Sequence, residues 1–285
     1  MDFKDHVFPV EKYKMIYERL LQEEIAKKDD FIEPKKEPDD FYLLVHTPEY
    51  LDDLSHLRMT RRTIFSELPL TKDIVEGFKL MGAGSYQGAK LALKEKVVMH
   101  IGGGFHHAFP DHAEGFCYIN DVALAVKGLK RDKLIEKAVI IDCDLHQGNG
   151  TAYIFSNDPT VFTFSIHQEN LYPVKEKSSL DIGLPDFADD ETYLKELRKA
   201  LSSIYEKHKP QFTVYVAGAD PYKEDRLGTL QLTKQGLKER DRMVIKTALE
   251  NKNPVLILLA GGYAVKTKDT VEIHVNTAKI AKEVE

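Results

Sequence analysis

The sequence predicts an α/β fold, with a parallel sheet covered by helices on both faces. Short apolar runs alternate along it with longer stretches of helical period. The runs are apolar throughout, not at every second residue. A strand covered on both sides has no solvent face to keep polar, so such runs point to a parallel sheet between two helical layers. The polar, glycine-rich and histidine-rich segments follow directly after these runs, where open α/β sheets bind ligands.

FYLLVH (41–46) reads as the first strand. Thr47 and Pro48 are an N-cap and first-turn pair that opens a helix to about Leu57. Residues 72–96 have a helical pattern that includes Gly82, Gly84 and Gly88. No Lys-Ser/Thr follows those glycines, which favours close helix packing over a phosphate loop. VVMHI (97–101), AVIID (138–142), VFTFSI (161–166), FTVYVAG (212–218) and PVLILLAG (254–261) are the further strands. Helices are expected over 119–130 and near 189–208, 233–250 and 267–284. There is no internal repeat, low-complexity segment or convincing linker, so one domain over 1–285 is expected.

Composition narrows the function. Of 285 residues, 42% are hydrophobic and 30% charged, which is globular. Lys plus Arg is 40 and Asp plus Glu is 46, a net charge of −6. A mildly acidic surface without charge blocks argues against nucleic-acid binding as the main activity. Cys117 and Cys143 form neither a CxxC pair nor a zinc-finger spacing and read as small buried residues of a reducing compartment. The N-terminus lacks an apolar secretory core, and no run approaches the roughly 20 apolar residues of a membrane helix. A soluble cytoplasmic protein without a membrane partner is expected.

Five loops follow predicted strands: GGGFHHAFPDHAEGFCY, CDLHQGNG, HQENLYP, Asp220-Pro221-Tyr222 and Gly261-Gly262-Tyr263. Polar residues at five strand ends point to one shared site. Asp144 and His146 are two apart, so an extended chain aims both side chains one way. The same spacing also fits a capped turn. With Asp220 they form two carboxylates and one imidazole, a three-ligand set that leaves a divalent ion an open position. That set fits Zn²⁺ or Fe²⁺. The adjacent His106 and His107 are candidates for a general base and a proton donor, with Asp142 and Asn149 as candidate partners for their far nitrogens. Tyr263 could donate to an oxyanion, or simply close a turn. Ser165 lacks nucleophile-elbow glycines, which disfavours a serine hydrolase.

Taken together, GGGFHHAFPDHAEGFCYIND, VIIDCDLHQGNGT, FSIHQENLYP, AGADP and LAGGYA resemble, in order, the motifs of the zinc-dependent histone deacetylase family within the arginase–deacetylase superfamily. HQGNG and GADPY look most like its class IV and related bacterial members. The resemblance runs from HVFP to the last helix. It implies a three-layer α/β fold with a central, mostly parallel sheet of about eight strands. It implies Asp144, His146 and Asp220 as zinc ligands, His106 and His107 as tandem catalytic histidines, and Tyr263 as the group that polarises the amide carbonyl. Gly115, Phe116, Tyr172 and Gly262 correspond to walls of an acyl-lysine channel, with Tyr172 where many members have phenylalanine. Asp142, Asp144, His146, Ser165 and Ile166 correspond to a monovalent-cation site, which suggests K⁺ as a structural ion. Asn149 stands where many members have an aspartate beside the second histidine. A neutral amide orients the ring but stabilises an imidazolium less.

The function so implied is a zinc-dependent amidohydrolase that removes acetyl or longer acyl groups from lysine side chains of a protein or peptide. A small acyl-amine such as an acylpolyamine is the alternative substrate. A binuclear manganese hydrolase of the arginase type would need a carboxylate at position 148, which is Gly. An idle acyl-binding module is the remaining alternative, and the complete ligand and base set argues against it. The oligomeric state is left open.

Overall fold

The computed structural model describes residue 3 and residues 6–284. Among them, six strands build one sheet: β1 (Val97–His100), β2 (Ala138–Asp142), β3 (Val161–Gln168), β4 (Leu180–Leu184), β5 (Phe212–Val216) and β6 (Val255–Leu258). Their order is β1-β6-β5-β2-β3-β4, with every pairing parallel. The helices are α1 (Lys12–Gln22), α2 (Pro48–Ser55), α3 (Lys72–Glu95), α4 (Asp121–Arg131), α5 (Asn149–Phe155), α6 (Asp190–His208), α7 (Lys234–Glu250) and α8 (Thr267–Val284).

The strands form where β-branched and large apolar residues can be buried on both faces. Ala138 and Ile140 of β2 pack with Val214 of β5, Leu258 of β6, Phe78 of α3 and Leu124 of α4. The alternate residues Val139 and Ile141 pack with Tyr215, Ile257, Leu197 of α6 and Val244 of α7. Successive side chains thus enter opposite cores, as the two-residue period of a strand requires. Five helices begin where a hydroxyl, carboxamide or carboxylate side chain meets free N–H groups: Thr47, Thr71, Asn120, Asp189 and Thr233 each accept from a backbone N–H in the first turn. The α3 glycines serve packing. A Cβ on Gly82 would lie 2.9 Å from Leu124 of α4, and one on Gly84 2.8 Å from the His100 ring.

Three expectations need correction. FYLLVH is not a strand. Asp39–Leu44 is a 3₁₀ helix following Pro38, with two acidic residues in its first turn. Phe41 and Tyr42 are both buried while Leu43 is 48% exposed, a pattern without two-residue alternation. Phe41 packs on Tyr86, and the Tyr42 hydroxyl donates to the Lys79 carbonyl at 2.8 Å. The sheet has six strands among the described residues, not about eight. The strand β4 was not expected at all. Its sequence LDIGL is interrupted by Asp181 and Gly183, and as an edge strand it is only partly covered. The short helices α1 and α5 were likewise unforeseen.

From β2 the chain moves outward to β3 and β4, whereas from β5 it moves the other way to β6. The carboxyl ends of the neighbours β2 and β5 therefore flank the point where the winding reverses, and a crevice opens there. Behind it, Arg240 of α7 is wholly buried. Its Nη1 donates to the carbonyls of Cys143, 3.2 Å away, and Gly218, 2.6 Å away, one in each loop that leaves β2 and β5. Its Nε and Nη2 donate to Asp241 Oδ1 at 3.0 and 2.8 Å. Asp241 also accepts the hydroxyls of Tyr215 and Thr277. Removing one partner of such a pair leaves a buried charge uncompensated. Arg240→Met should cost about 3–5 kcal/mol in urea unfolding. The double change Arg240→Met with Asp241→Leu should cost less than the single one.

Candidate metal centre and active site

Asp144 and His146 leave the end of β2, and Asp220 leaves the end of β5. One ligand atom from each lies within 4.8 Å of the others, and all three residues are buried. His146 Nδ1 is 3.2 Å from Asp144 Oδ1 and 3.4 Å from Asp220 Oδ2. Three of the four carboxylate oxygens also accept from backbone. Asp144 Oδ1 accepts the His146 N–H, Asp144 Oδ2 accepts the Gly261 N–H at 2.9 Å, and Asp220 Oδ1 accepts the Leu145 N–H at 2.9 Å. Asp220 Oδ2 alone is buried without a hydrogen-bond donor. Gly261 leaves that space open, since a Cβ there would fall 2.1 Å from Asp220 Oδ2.

An orphaned carboxylate oxygen, a second carboxylate and an imidazole nitrogen facing one point fit a divalent cation with nitrogen and oxygen donors. The electrostatics agree. Burial and the Asp144 charge push the Asp220 carboxyl up. Burial opposes charge on His146, but Asp144 and Asp220 outweigh it and raise the ring to about 10. The cluster attracts positive charge.

The tandem histidines come from the loop after β1. His106 Nδ1 lies 2.7 Å from Asp142 Oδ2, and His107 Nδ1 lies 2.7 Å from Asn149 Oδ1. Their ring centroids are 4.1 Å apart. The two environments push the rings in opposite directions. For His106, burial is outweighed by Asp142 and Asp144, and the ring is raised to about 9. For His107, burial and the positive charge of His106 and His146 push the ring well below its ordinary value, and the Asn149 amide does not restore it. His106 is the charged partner and His107 the neutral one.

A cavity of about 210 Å³ opens over this cluster. Its walls include His106, His107, Gly115, Phe116, Asp144, His146, Tyr172, Gly261 and Tyr263. Gly262 does not line it, which corrects the channel assignment. Gly262 backs onto Thr270 and Ala219, and Gly261 takes the lining place. The Tyr263 ring lies 5.9 Å from Phe116, and burial pushes its phenol well up, so it stays a neutral donor. The proposed monovalent-cation residues gather at the ends of β2 and β3, where Asp142 and Ser165 are register partners. Ser165 Oγ is engaged with His167 Nδ1 at 2.9 Å.

Several supporting residues were not singled out from sequence. Asp121 accepts the N–H groups of Gly104 and Phe105, and Asn120 donates to the carbonyls of His106 and Ala108, so the start of α4 clamps the histidine loop. Asp225 accepts the Tyr263 N–H at 2.6 Å. Phe8 also lines the cavity, 6.0 Å from Tyr263. The Asn-Asp pair at a helix start was a legible cap signal, whereas nothing local marked Asp225 or Phe8.

Comparison with known proteins assigns a family and a fold. The model of the histone deacetylase domain matches residues 6–278. An uncharacterized protein of Picosynechococcus sp. is 37% identical over 286 residues, covering 99% of this chain and 94% of its own. A probable deacetylase of Archaeoglobus fulgidus is 30% identical over 277 residues, covering 90% of this chain and 77% of its own. The crystal structure of an HDAC homolog complexed with SAHA shares the fold, with a TM-score of 0.84 over 98% of this chain and 80% of that one at 23% identity. The matched span contains every residue of the candidate centre from His106 to Tyr263, and the chain belongs to the histone deacetylase family.

Proposed function

We propose that this deacetylase-family hydrolase is a zinc-dependent enzyme that removes acetyl or longer acyl groups from lysine side-chain nitrogens of a protein or peptide. The observation that carries the reading is the convergence of Asp144, His146 and Asp220, the first two of which line a cavity walled by His107 and Tyr263. Two carboxylates and an imidazole suit Zn²⁺, with Fe²⁺ as the alternative occupant. Such an ion supplies a Lewis acid for the amide carbonyl and lowers the pKa of a coordinated water.

The chain's own groups do the rest. His107 is uncharged, and its Nδ1 is engaged by Asn149, so Nε2 is free to take a proton from the attacking water and later return it to the departing lysine nitrogen. The Tyr263 hydroxyl donates to the carbonyl oxygen as negative charge develops there. His106, charged through Asp142, adds a fixed positive field beside the reacting carbon. Phe116 and Tyr172 offer apolar walls for the methylene stem of the lysine. We assign K⁺ as a structural ion held by backbone or far-side oxygens of Asp142, Asp144, His146, Ser165 and Ile166, a reading supported by the pairing of Asp142 with Ser165 at the β2 and β3 ends.

Turnover of a panel of acyl-lysine peptides and acylpolyamines by the zinc-loaded protein tests the substrate class. Acyl-lysine peptides should be the better substrates by kcat/KM, and an inverted order would reassign the enzyme to acylpolyamines. Tyr263→Phe and His107→Ala should each lower kcat by about 10²–10⁴-fold with unfolding midpoints near wild type. Wild-type rates in either variant would remove the assigned role.

Metal loading has a readout separate from turnover. Zn²⁺ should raise the Tm of the chelator-treated wild type by ligand linkage. Asp220→Asn should abolish most of that rise, because it deletes the charged oxygen that lacks any protein donor. An equal rise in both proteins would place the ion elsewhere.

A further inference from the structure

Asn149 is not the end of the hydrogen-bond chain that starts at His107. A primary amide has one accepting end and one donating end. The Asn149 Nδ2 donates to Glu114 Oε1 at 2.8 Å, so its Oδ1 faces His107 Nδ1 at 2.7 Å. An oxygen facing Nδ1 needs a hydrogen there. In a neutral imidazole that leaves Nε2 bare. The same Glu114 oxygen accepts the Tyr172 hydroxyl at 3.0 Å. Tyr172 in turn stands with its ring centroid 5.4 Å from that of His107, at 64°. Gly115 permits this crowding, since a Cβ there would lie 2.6 Å from His107 Cδ2 and 2.7 Å from the Tyr172 oxygen. The other Glu114 oxygen lies 3.6 Å from His112 Nε2. Burial opposes the Glu114 charge, but bonds from His112, Asn149 and Tyr172 outweigh it and hold the carboxyl below its usual range.

We propose that Glu114 is a positioning residue: it fixes the Asn149 amide orientation, and thereby the His107 tautomer with Nε2 unprotonated, while anchoring the channel wall Tyr172 against the same ring. The carboxylate that is missing beside His107 is thus present one residue further out. It acts there by accepting hydrogen bonds and not by direct contact with the imidazole. The catalytic consequence rests on the reading of His107 as the base, whereas the tautomer does not.

Two measurements separate those claims. In ¹⁵N-histidine-labelled, zinc-loaded protein, with the His107 signals identified by their loss in His107→Ala, wild type should show a protonated Nδ1 and a bare Nε2. Glu114→Leu removes both accepting oxygens and should convert this into a mixture of tautomers. Glu114→Gln keeps an acceptor for Asn149 and should restore the wild-type pattern. Identical His107 signals in wild type and Glu114→Leu would overturn the proposal, whether or not any acyl-lysine is hydrolysed. In turnover, Glu114→Leu should lower kcat about 10-fold or more, in the range found for orienting partners, with Glu114→Gln recovering most of it. Tyr172→Phe, which leaves the amide bonded, should act mainly on KM. The kcat effect of Glu114→Leu should vanish in a His107→Ala background, because both changes disable one unit. A full additive loss there would show that Glu114 acts by some route other than His107.

Discussion

The structure depends on two buried carboxylates held against one imidazole. Burying a carboxylate costs several kcal/mol even after relaxation, and placing two within reach of the same nitrogen adds their repulsion. The fold meets this cost with three backbone N–H groups from two loops, those of Leu145 and His146 after β2 and that of Gly261 after β6. A single oxygen of Asp220 is left over. An arrangement that gives a donor to every carboxylate oxygen but one, in a place built to attract positive charge, has the electrostatics of a cation site. The buried Arg240 completes it from behind by tying down the carbonyls of Cys143 and Gly218, which precede Asp144 and Asp220 in their loops.

The tandem histidines show how partners divide labour between identical side chains. The two rings are neighbours in sequence and in space, and both are buried. One faces a carboxylate and is raised to about 9, and the other faces an amide and is driven well below its ordinary value. Opposed shifts in adjacent titratable groups are how an active site holds an acid and a base at one pH. Burial, with the field of the charged ring added to it, lowers the neighbouring ring.

The helix and strand pattern was largely legible. Thr47-Pro48 does start a helix, helices form in the expected stretches near 119–130 and 233–250, β1, β2, β5 and β6 lie within the apolar runs that announced them, and β3 runs two residues beyond its own. The failures have local causes. In FYLLVH two adjacent aromatic residues are buried together against α3, which makes a 3₁₀ turn look as apolar as a strand. In LDIGL an edge position relieves the need for apolar residues on both faces, so the strand carries little hydrophobic signal. The helix α5 begins at Asn149 inside a polar loop, where a functional residue also serves as the first helical position.

By itself the sequence determined the parallel α/β class, the family motifs and the three candidate ligands, because period, composition and motif are local properties of the chain. Only the tertiary structure decided which atoms meet. It placed Gly261 and not Gly262 in the cavity wall, gave Tyr263 its anchor at Asp225, and joined Asn149 to Glu114. Gly261 and Asp144 are 117 residues apart, and Asn149 and Glu114 are 35 apart. Contacts over such separations depend on how the loops at five strand ends close over one crevice, and no local period in the chain encodes that closure.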